Sequence, residues 1–351
     1  MKIVSVVGAR PQFVKLAPIH EAAKAAGVEH VIVHTGQHYD SLLSDVFFDE
    51  LGIDEPDVHL GVGSASHGVQ TGAMLSALDA VFDQQGPDWV LAYGDTNSTV
   101  AAALSAAKMH IRVAHLEAGL RSFNRRMPEE HNRVVTDHLS DVLLAPTQVA
   151  VDHLANEGLA SRTVLIGDVM TDVLFRVRDQ VAGKPSALMQ ELDLREGEFY
   201  VATVHRAENT DDPQRLAEVV GGLARLDKPV ILLAHPRVVA KAAAHGIELT
   251  QGSVVAHPPL AYHDLIAAAL GSGGVVTDSG GLQKEAFLLR VPCTTVRTET
   301  EWIETIQLGW NMLANTAEEI GAAVSRPRPV DTDVAPYGDG DAARRAIEAL
   351  G

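Results

Sequence analysis

The chain has 351 residues, of which 46% are hydrophobic and 21% charged, and a formal net charge of −18 at pH 7. That length suggests two ordinary cores rather than one, and the acidic balance argues against a nucleic-acid footprint or an anionic membrane surface, both of which want a basic face. The single cysteine, Cys293, rules out an internal disulfide framework or a CxxC zinc site, and a cytoplasmic setting is expected.

In chain order, short apolar runs alternate with longer helix-like segments. "KIVSVV" (2–7), "HVIVHT" (30–35), "DWVLAY" (88–93), "IRVAHL" (111–116), "DVLLAP" (141–146) and "TVLIG" (163–167) read as buried parallel strands, with Ala/Leu-rich helical segments at 13–26, 68–85 and 97–108 among them. The rhythm loosens around 168–197. It resumes with "FYVATV" (199–204), "PVILLA" (229–234), "SVVAH" (253–257), "GGVVTD" (273–278) and "PCTTV" (292–296). The chain closes on "GDGDAARRAIEALG", which reads as an Asp-capped amphipathic helix. The pattern predicts two doubly wound α/β domains, an N-terminal one over 1–170 joined by a C-terminal helix at 339–351, and a second over 171–338. The opening apolar run stops at Gly8 and Pro11, too short for a secretory signal. No later stretch reaches the roughly 18 uninterrupted apolar residues of a membrane helix.

Ligands of open α/β sheets lie beyond the carboxyl ends of the strands, so the residues that follow each strand are the candidates. After the first strand, "GARPQFVK" sets Arg10 and Lys15 near a helix N-terminus, either as an anion site or as solvated cations on a loop. "GDTNST" places Asp95 where it could cap a helix starting near Thr96, face a ligand, or both. The segment "HLEAGLRSFNRRMPEEHNR" (115–133) gathers three glutamates, four arginines and two histidines. Glu117 follows a strand directly and is expected to point inward. Pro128 starts a helix with Glu129 and Glu130 in its first turn. A helix start with a solvated charged loop accounts for Glu130, Arg125 and Arg126 but poorly for Glu117.

In the second half, "ATVHRAEN" and "LLAHPR" each end a strand on a histidine followed by an arginine: His205 with Arg206, and His235 with Arg237. Such a pair points to an anion or proton-transfer site. In "TDSGGLQKEA", Ser279, Gly280 and Gly281 open a helix whose backbone N–H groups suit a diphosphate. Glu285, one turn on, could accept from a ribose diol; the plainer alternative is an N-cap with a tight turn. There is no GxGxxG fingerprint, since "GVGSAS" (61–66) lacks the last glycine, and no Walker A sequence, so nothing supports a bound dinucleotide.

Taken together, "GARPQFVK", "GDTNST", "HLEAGLRSFNRRMPEEHNR", "HRAEN", "HPR", "DSGGLQKEA", "RTETEWIET" and "PYGDGDA" resemble, in order and over residues 8 to about 342, the non-hydrolysing UDP-N-acetylglucosamine 2-epimerases. The resemblance implies a GT-B-like fold of two Rossmann-type domains with the active site in the interdomain cleft. It implies a cytoplasmic homodimer that interconverts UDP-GlcNAc and UDP-ManNAc for cell-surface polysaccharide synthesis, with a UDP-sugar substrate and no cofactor. By position it puts acid/base catalysis on Asp95, Glu117 and Glu129, with His205 catalytic beside the phosphate. Arg10, Lys15, Arg206, His235, Ser279, Gly280, Gly281 and Glu285 become substrate-binding residues.

Two departures stand out. Ala207 replaces the second arginine that many members carry after the histidine, and "YDSLLSDVFF" (39–48) departs from the usual pattern; both argue against activation by the enzyme's own substrate. "GARPQF", "YGDTNST", "RSFNRRMPEE" and "TEWIE" are closer to a branch that includes epimerases of UDP-2,3-diacetamido-2,3-dideoxyglucuronate. That substrate is one alternative, and a GT-B glycosyltransferase or a hydrolysing epimerase are others.

Overall fold

A computed structural model describes residues 1–37, 55–184 and 186–351, excluding the side chain of Arg10. The divergent stretch 39–48 lies outside the described residues. The chain forms two compact units, residues 1–175 with 335–351, and residues 176–334.

The first unit carries strands β1 (Lys2–Val7), β2 (Glu29–His34), β3 (Val58–His59), β4 (Trp89–Tyr93), β5 (Arg112–Leu116), β6 (Val142–Ala145) and β7 (Thr163–Leu165). They form one parallel sheet in the order β3-β2-β1-β4-β5-β6-β7. Successive side chains of a strand point to opposite faces, and here both faces are covered. Ile3 and Val7 pack with Phe13, Leu16 and Ile19 of the helix Arg10–Ala25. Val4 and Val6 pack on the other side with Met74 and Leu78 of His67–Gln85 and Ala102 and Ala106 of Asn97–Lys108. This two-sided burial is why β1 reads as a nearly continuous apolar run, broken only at Ser5, rather than an alternating one.

The C-terminal helix Ala342–Glu348 joins the same core. Ala342, Ala346, Ile347 and Leu350 pack among Phe13, Leu16 and Trp89, and the Trp89 indole N–H donates to the Leu350 carbonyl over 2.9 Å. Its cap differs from expectation. Asp341 occupies the N-cap position without making a capping bond and pairs with Arg344 instead. The first helical N–H groups are taken by Asp172 of another helix, from Ala342 at 3.1 Å and Ala343 at 2.8 Å. Burial pushes the Asp172 carboxyl up to about 6, only partly opposed by those two bonds.

The second unit repeats the design with β8 (Tyr200–Thr203), β9 (Val230–Leu233), β10 (Val254–His257), β11 (Gly274–Thr277), β12 (Cys293–Thr295) and β13 (Asn311–Leu313), in the parallel order β10-β9-β8-β11-β12-β13. Tyr200, Ala202 and Val204 face one cluster and Phe199 and Val201 the other. The strands β3 and β13 escaped the sequence reading. Both are edge strands, two and three residues long, without a β-branched run.

Each sheet has one place where the strand order reverses, between β1 and β4 in the first and between β8 and β11 in the second. Loops diverge there and leave a crevice at the carboxyl ends of the strands. The four segments that follow these strands are "GARPQ", "GDTNST", "HRAEN" and "DSGG". No helix among the described residues is long and apolar enough to cross a membrane.

Candidate active site

In the first unit, the loops after β1 and β4 are tied together by Gln12, a residue the sequence reading passed over. Its buried amide oxygen accepts from the N–H groups of Gly8 (2.8 Å) and Ala9 (3.0 Å), and its amide nitrogen donates to the Tyr93 carbonyl at 2.7 Å. The helix that follows β4 is capped by Thr96, whose hydroxyl accepts from the Thr99 N–H, so Asp95 is not the cap. Its carboxylate instead forms an ion pair with Arg133, and its carbonyl oxygen accepts from Asn132 at 2.9 Å.

Glu117 leaves β5 in the left-handed region, with φ 67°. A side chain with a Cβ is strained there, and such strain concentrates at functional positions. The turn sends the carboxylate onto Lys15, and the resulting ion pair is largely shielded from solvent. Burial opposes the Lys15 charge, but Glu117, Asp168 and Asp95 outweigh it and hold its pKa above the ordinary value. Gly94, at φ 62°, faces this pair, since a Cβ there would stand 3.4 Å from Glu117 Oε2 and 3.8 Å from Lys15 Nζ. Asp95, Glu117, Lys15 and Arg133 therefore converge on one turn.

The charged loop 119–127 is ordered from below by Glu130. Sequence reasoning leaves this residue as a solvated helix-start carboxylate, yet it is buried. It accepts from the Ser122 N–H (2.8 Å), the Ser122 hydroxyl (2.9 Å), the Phe123 N–H (2.9 Å) and Arg133 (3.2 Å). Burial would raise its pKa, but these bonds from Ser122, Phe123 and Arg133 bring it below the usual value. Glu129, its neighbour, is half-buried in the first turn of Pro128–Leu139 and makes no hydrogen bond among the described residues. Arg125 and Arg126 are exposed.

In the second unit the organiser is Asp278, fully buried at the end of β11. It accepts from the N–H groups of His205 (3.0 Å) and Arg206 (2.9 Å) and from the Asn209 amide (3.1 Å). The same carboxylate lies 3.2 Å from His205 Nδ1, which turns Nε2 away from it. The rings of His205 and His235 are 5.8 Å apart. His235 caps the helix Pro236–His245, its Nδ1 accepting from the Arg237 N–H at 3.1 Å, so the proton of its neutral form sits on Nε2. Arg206 and Arg237 part company here. Arg237 is tied to Asp211 at 2.6 Å and to the Thr210 hydroxyl at 2.9 Å, a structural role rather than an anion site.

Ser279 caps the helix Gly280–Leu288, and Gly280 and Gly281 form its first positions. A Cβ at Gly280 would stand 2.5 Å from Glu301 Oε1 and 3.7 Å from Arg206 Nη2, so Arg206 and the helix N-terminus share one place. Glu301 is held there by Arg297 at 2.8 Å. Glu285 accepts from the Tyr262 hydroxyl at 2.9 Å, and burial together with the Glu285 charge pushes that phenol far above its ordinary range. The lone thiol of Cys293 is buried and pushed up to about 12, chiefly by burial, so it supplies no nucleophile. Among the described residues no cluster of three His, Cys, Asp or Glu could hold a metal.

The family model for UDP-N-acetylglucosamine 2-epimerase matches residues 20–351. The chain belongs to that family. A UDP-N-acetylglucosamine 2-epimerase homologue of Methanococcus maripaludis is 42% identical over 355 residues, covering 100% of this chain and 99% of the relative. The UDP-2,3-diacetamido-2,3-dideoxy-D-glucuronate 2-epimerase of Pseudomonas aeruginosa is 44% identical over 361 residues, with 100% and 99% covered. The solved UDP-GlcNAc 2-epimerase of Methanocaldococcus jannaschii superposes with a TM-score of 0.87 at 34% identity, covering 100% of this chain and 99% of that one. Its complex with UDP-GlcNAc and UDP superposes with a TM-score of 0.79 at 35% identity, over the same shares of the two chains. The likeness thus spans both α/β units of this epimerase-family chain, not one nucleotide-binding half.

Proposed function

We propose that this chain epimerises C2 of a UDP-N-acetylhexosamine, UDP-GlcNAc to UDP-ManNAc, by eliminating and re-adding UDP. The C2 hydrogen is not next to a carbonyl, so no enolate lowers its acidity. It leaves only as the C1–O bond breaks and the electron pair departs with UDP. A carboxylate takes the C2 proton, C1=C2 forms, and 2-acetamidoglucal and UDP are the intermediates. A proton then returns to the opposite face of C2, and a β-phosphate oxygen re-adds at C1. The sum is redox-neutral.

The observation that carries this reading is the Gly94–Asp95 turn, where two carboxylates, Asp95 and Glu117, each meet a fixed cation, Arg133 and Lys15. Opposite-face proton transfer needs two acid/base groups, and Asp95, Glu117 and Glu129 supply the set. The leaving diphosphate needs electrostatic stabilisation. We assign it to Arg10, Lys15, Arg206, His205, His235 and the N-terminus at Ser279–Gly280–Gly281, with Glu285 on the ribose. The identity to the Pseudomonas aeruginosa enzyme favours a second substrate for the same chemistry, UDP-2,3-diacetamido-2,3-dideoxyglucuronate. A cytoplasmic homodimer serving cell-surface polysaccharide synthesis belongs to this reading and rests on the family likeness.

The test is incubation with either UDP-sugar in D2O, without NAD or acceptor, followed by NMR at C2. Deuterium at C2 with the UDP-sugar conserved is expected. No exchange with either substrate defeats the proposal, as does sugar transfer without C2 exchange in a parallel incubation to which an acceptor is added.

A further inference from the structure

Behind the Gly94–Asp95 turn lies a group of charges that the reaction as described does not use. His115 and Asp137 are both completely buried, and Arg121 has a side chain 1% exposed. His115 Nδ1 stands 2.6 Å from Asp137 Oδ1, and its Nε2 stands 2.7 Å from the Gly94 carbonyl oxygen. The second oxygen of Asp137 accepts from Arg121 (2.7 Å) and from the Gly119 N–H (3.2 Å). Arg121 continues outward to Glu157 through both its Nε (2.7 Å) and Nη2 (2.8 Å), and His138 reaches Glu157 at 3.2 Å.

The proton inventory follows from these partners. A carbonyl oxygen only accepts, so Nε2 of His115 must carry a proton. Burial would raise the Asp137 carboxyl, but the charges and hydrogen bonds of His115 and Arg121 outweigh it and hold it below its ordinary range. Arg121 and the Gly119 N–H both face the other oxygen of Asp137, an arrangement that suits the ionised carboxylate, and an ionised carboxylate only accepts, which calls for a proton on Nδ1 as well. Arg121 links the buried His115–Asp137 pair to Glu157, whose side chain is partly exposed and marks the outer end of the group.

The geometry points to His115 as a positioning residue, doubly protonated, that locks the Asp95 turn through the Gly94 carbonyl and the Glu117 turn through Asp137 and Gly119. This rests on the proposed function in that Asp95 and Glu117 are its acid/base groups. Those two residues sit on separate loops, after β4 and after β5. Their spacing is set by whatever joins the loops from below, and His115 joins them one residue before Asp95 and, by way of Asp137, two residues after Glu117.

The experiment uses 15N-labelled full-length protein, with the His115 signals assigned by their loss in His115→Asn. Both ring nitrogens of His115 are expected to bear protons in the folded protein without substrate. In Asp137→Asn the amide can donate to Nδ1, so His115 keeps its bond to Gly94 with one ring proton while the Gly119 anchor weakens. Amides at 117–119 should then exchange faster with D2O, with strands of the second unit unchanged. C2 exchange of the UDP-sugar should fall about 10²-fold in kcat with KM unchanged, as for a small misplacement of reacting groups. Glu157→Gln, at the outer end, should change neither. A single ring proton in the wild type overturns the inference, as does unchanged amide exchange or normal kcat in folded Asp137→Asn. A wild type inert on both UDP-sugars would instead count against the proposed function, and the ring protons and amide exchange would still decide the lock.

Discussion

Arg133 forms an ion pair with Asp95, while its other terminal nitrogen reaches Glu130 at 3.2 Å. One guanidinium thus holds a proposed catalytic carboxylate on one side and the carboxylate that orders the 119–127 loop on the other. Arg133→Gln should lower C2 exchange about 10²-fold while leaving intact the UDP binding proposed for the Ser279–Gly281 loop. Titration with UDP alongside the exchange assay checks this; equal loss of both would point to general misfolding.

Asp95→Asn and Glu117→Gln keep side-chain shape and remove proton transfer. Both variants should fold normally and lose C2 exchange about 10²–10⁴-fold, the usual cost of deleting positioned acid/base chemistry. Single-turnover exchange in D2O measures it, and a wild-type rate in either variant refutes that residue's role.

Asp278 is buried and accepts three N–H groups, so Asp278→Asn replaces one acceptor with a donor that faces other donors. Urea unfolding should show a loss of about 1–3 kcal/mol, the cost of leaving a buried donor unpaired. His205→Asn, at the solvent side of the same contact, should keep stability and lose turnover. The two variants therefore separate support from chemistry.

Gly280 presents a different test. A methyl there crowds the tip of Glu301, a flexible side chain that can move aside, and lies at ordinary contact distance from Arg206 Nη2. Gly280→Ala should fold with an unchanged melting temperature, yet it puts bulk over the helix N-terminus assigned to the diphosphate. Calorimetry should show UDP affinity falling by about tenfold or more, a loss of at least about 1.4 kcal/mol. Unchanged affinity would move the diphosphate elsewhere.

His30 is half-buried, 2.7 Å from the Ser5 hydroxyl and 3.0 Å from His20, and burial together with the His20 charge lowers its pKa from 6.5 to about 4. The unfolded chain therefore binds a proton more readily between those two values. The stabilisation is complete above pH 6.5 and is lost as pH falls toward 4, on the order of 3 kcal/mol in all. Replacing the ring by His30→Gln should flatten that limb of stability against pH, as measured by urea midpoints at pH 4, 5, 6 and 7. A limb unchanged by the substitution would clear His30 of responsibility.

Most strands of both sheets were legible because two-sided burial writes them as near-continuous apolar runs, as in Ile3–Val7, where Ser5 alone is polar. The edge strands β3 and β13 were not, being too short to carry a pattern. At the site, the position of Glu117 after β5 could be read directly. Its left-handed backbone could not, because nothing in "HLEAG" demands it. Asp95 looked like a cap because Thr96, one residue on, is an equally good one, and only the fold decides between neighbours. Glu130 and Arg237 were misjudged for opposite reasons. A glutamate in a first helical turn is ordinarily solvated, yet here a loop folds over it. An arginine after a strand-end histidine suggests an anion, yet Asp211 neutralises it. Asp137, Arg121 and Gln12 act through partners far away in sequence, which no local pattern displays.

The packing of Ala342–Leu350 into the first core bears on how the molecule is made. Domains usually complete themselves from the N-terminus as synthesis proceeds. Here the first unit lacks Ala346, Ile347 and Leu350 from its interior until translation has passed them, whereas residues 176–334 form an uninterrupted segment. The core of the first unit at Phe13, Leu16 and Trp89 is therefore completed only once residues on both sides of the second unit's segment are present.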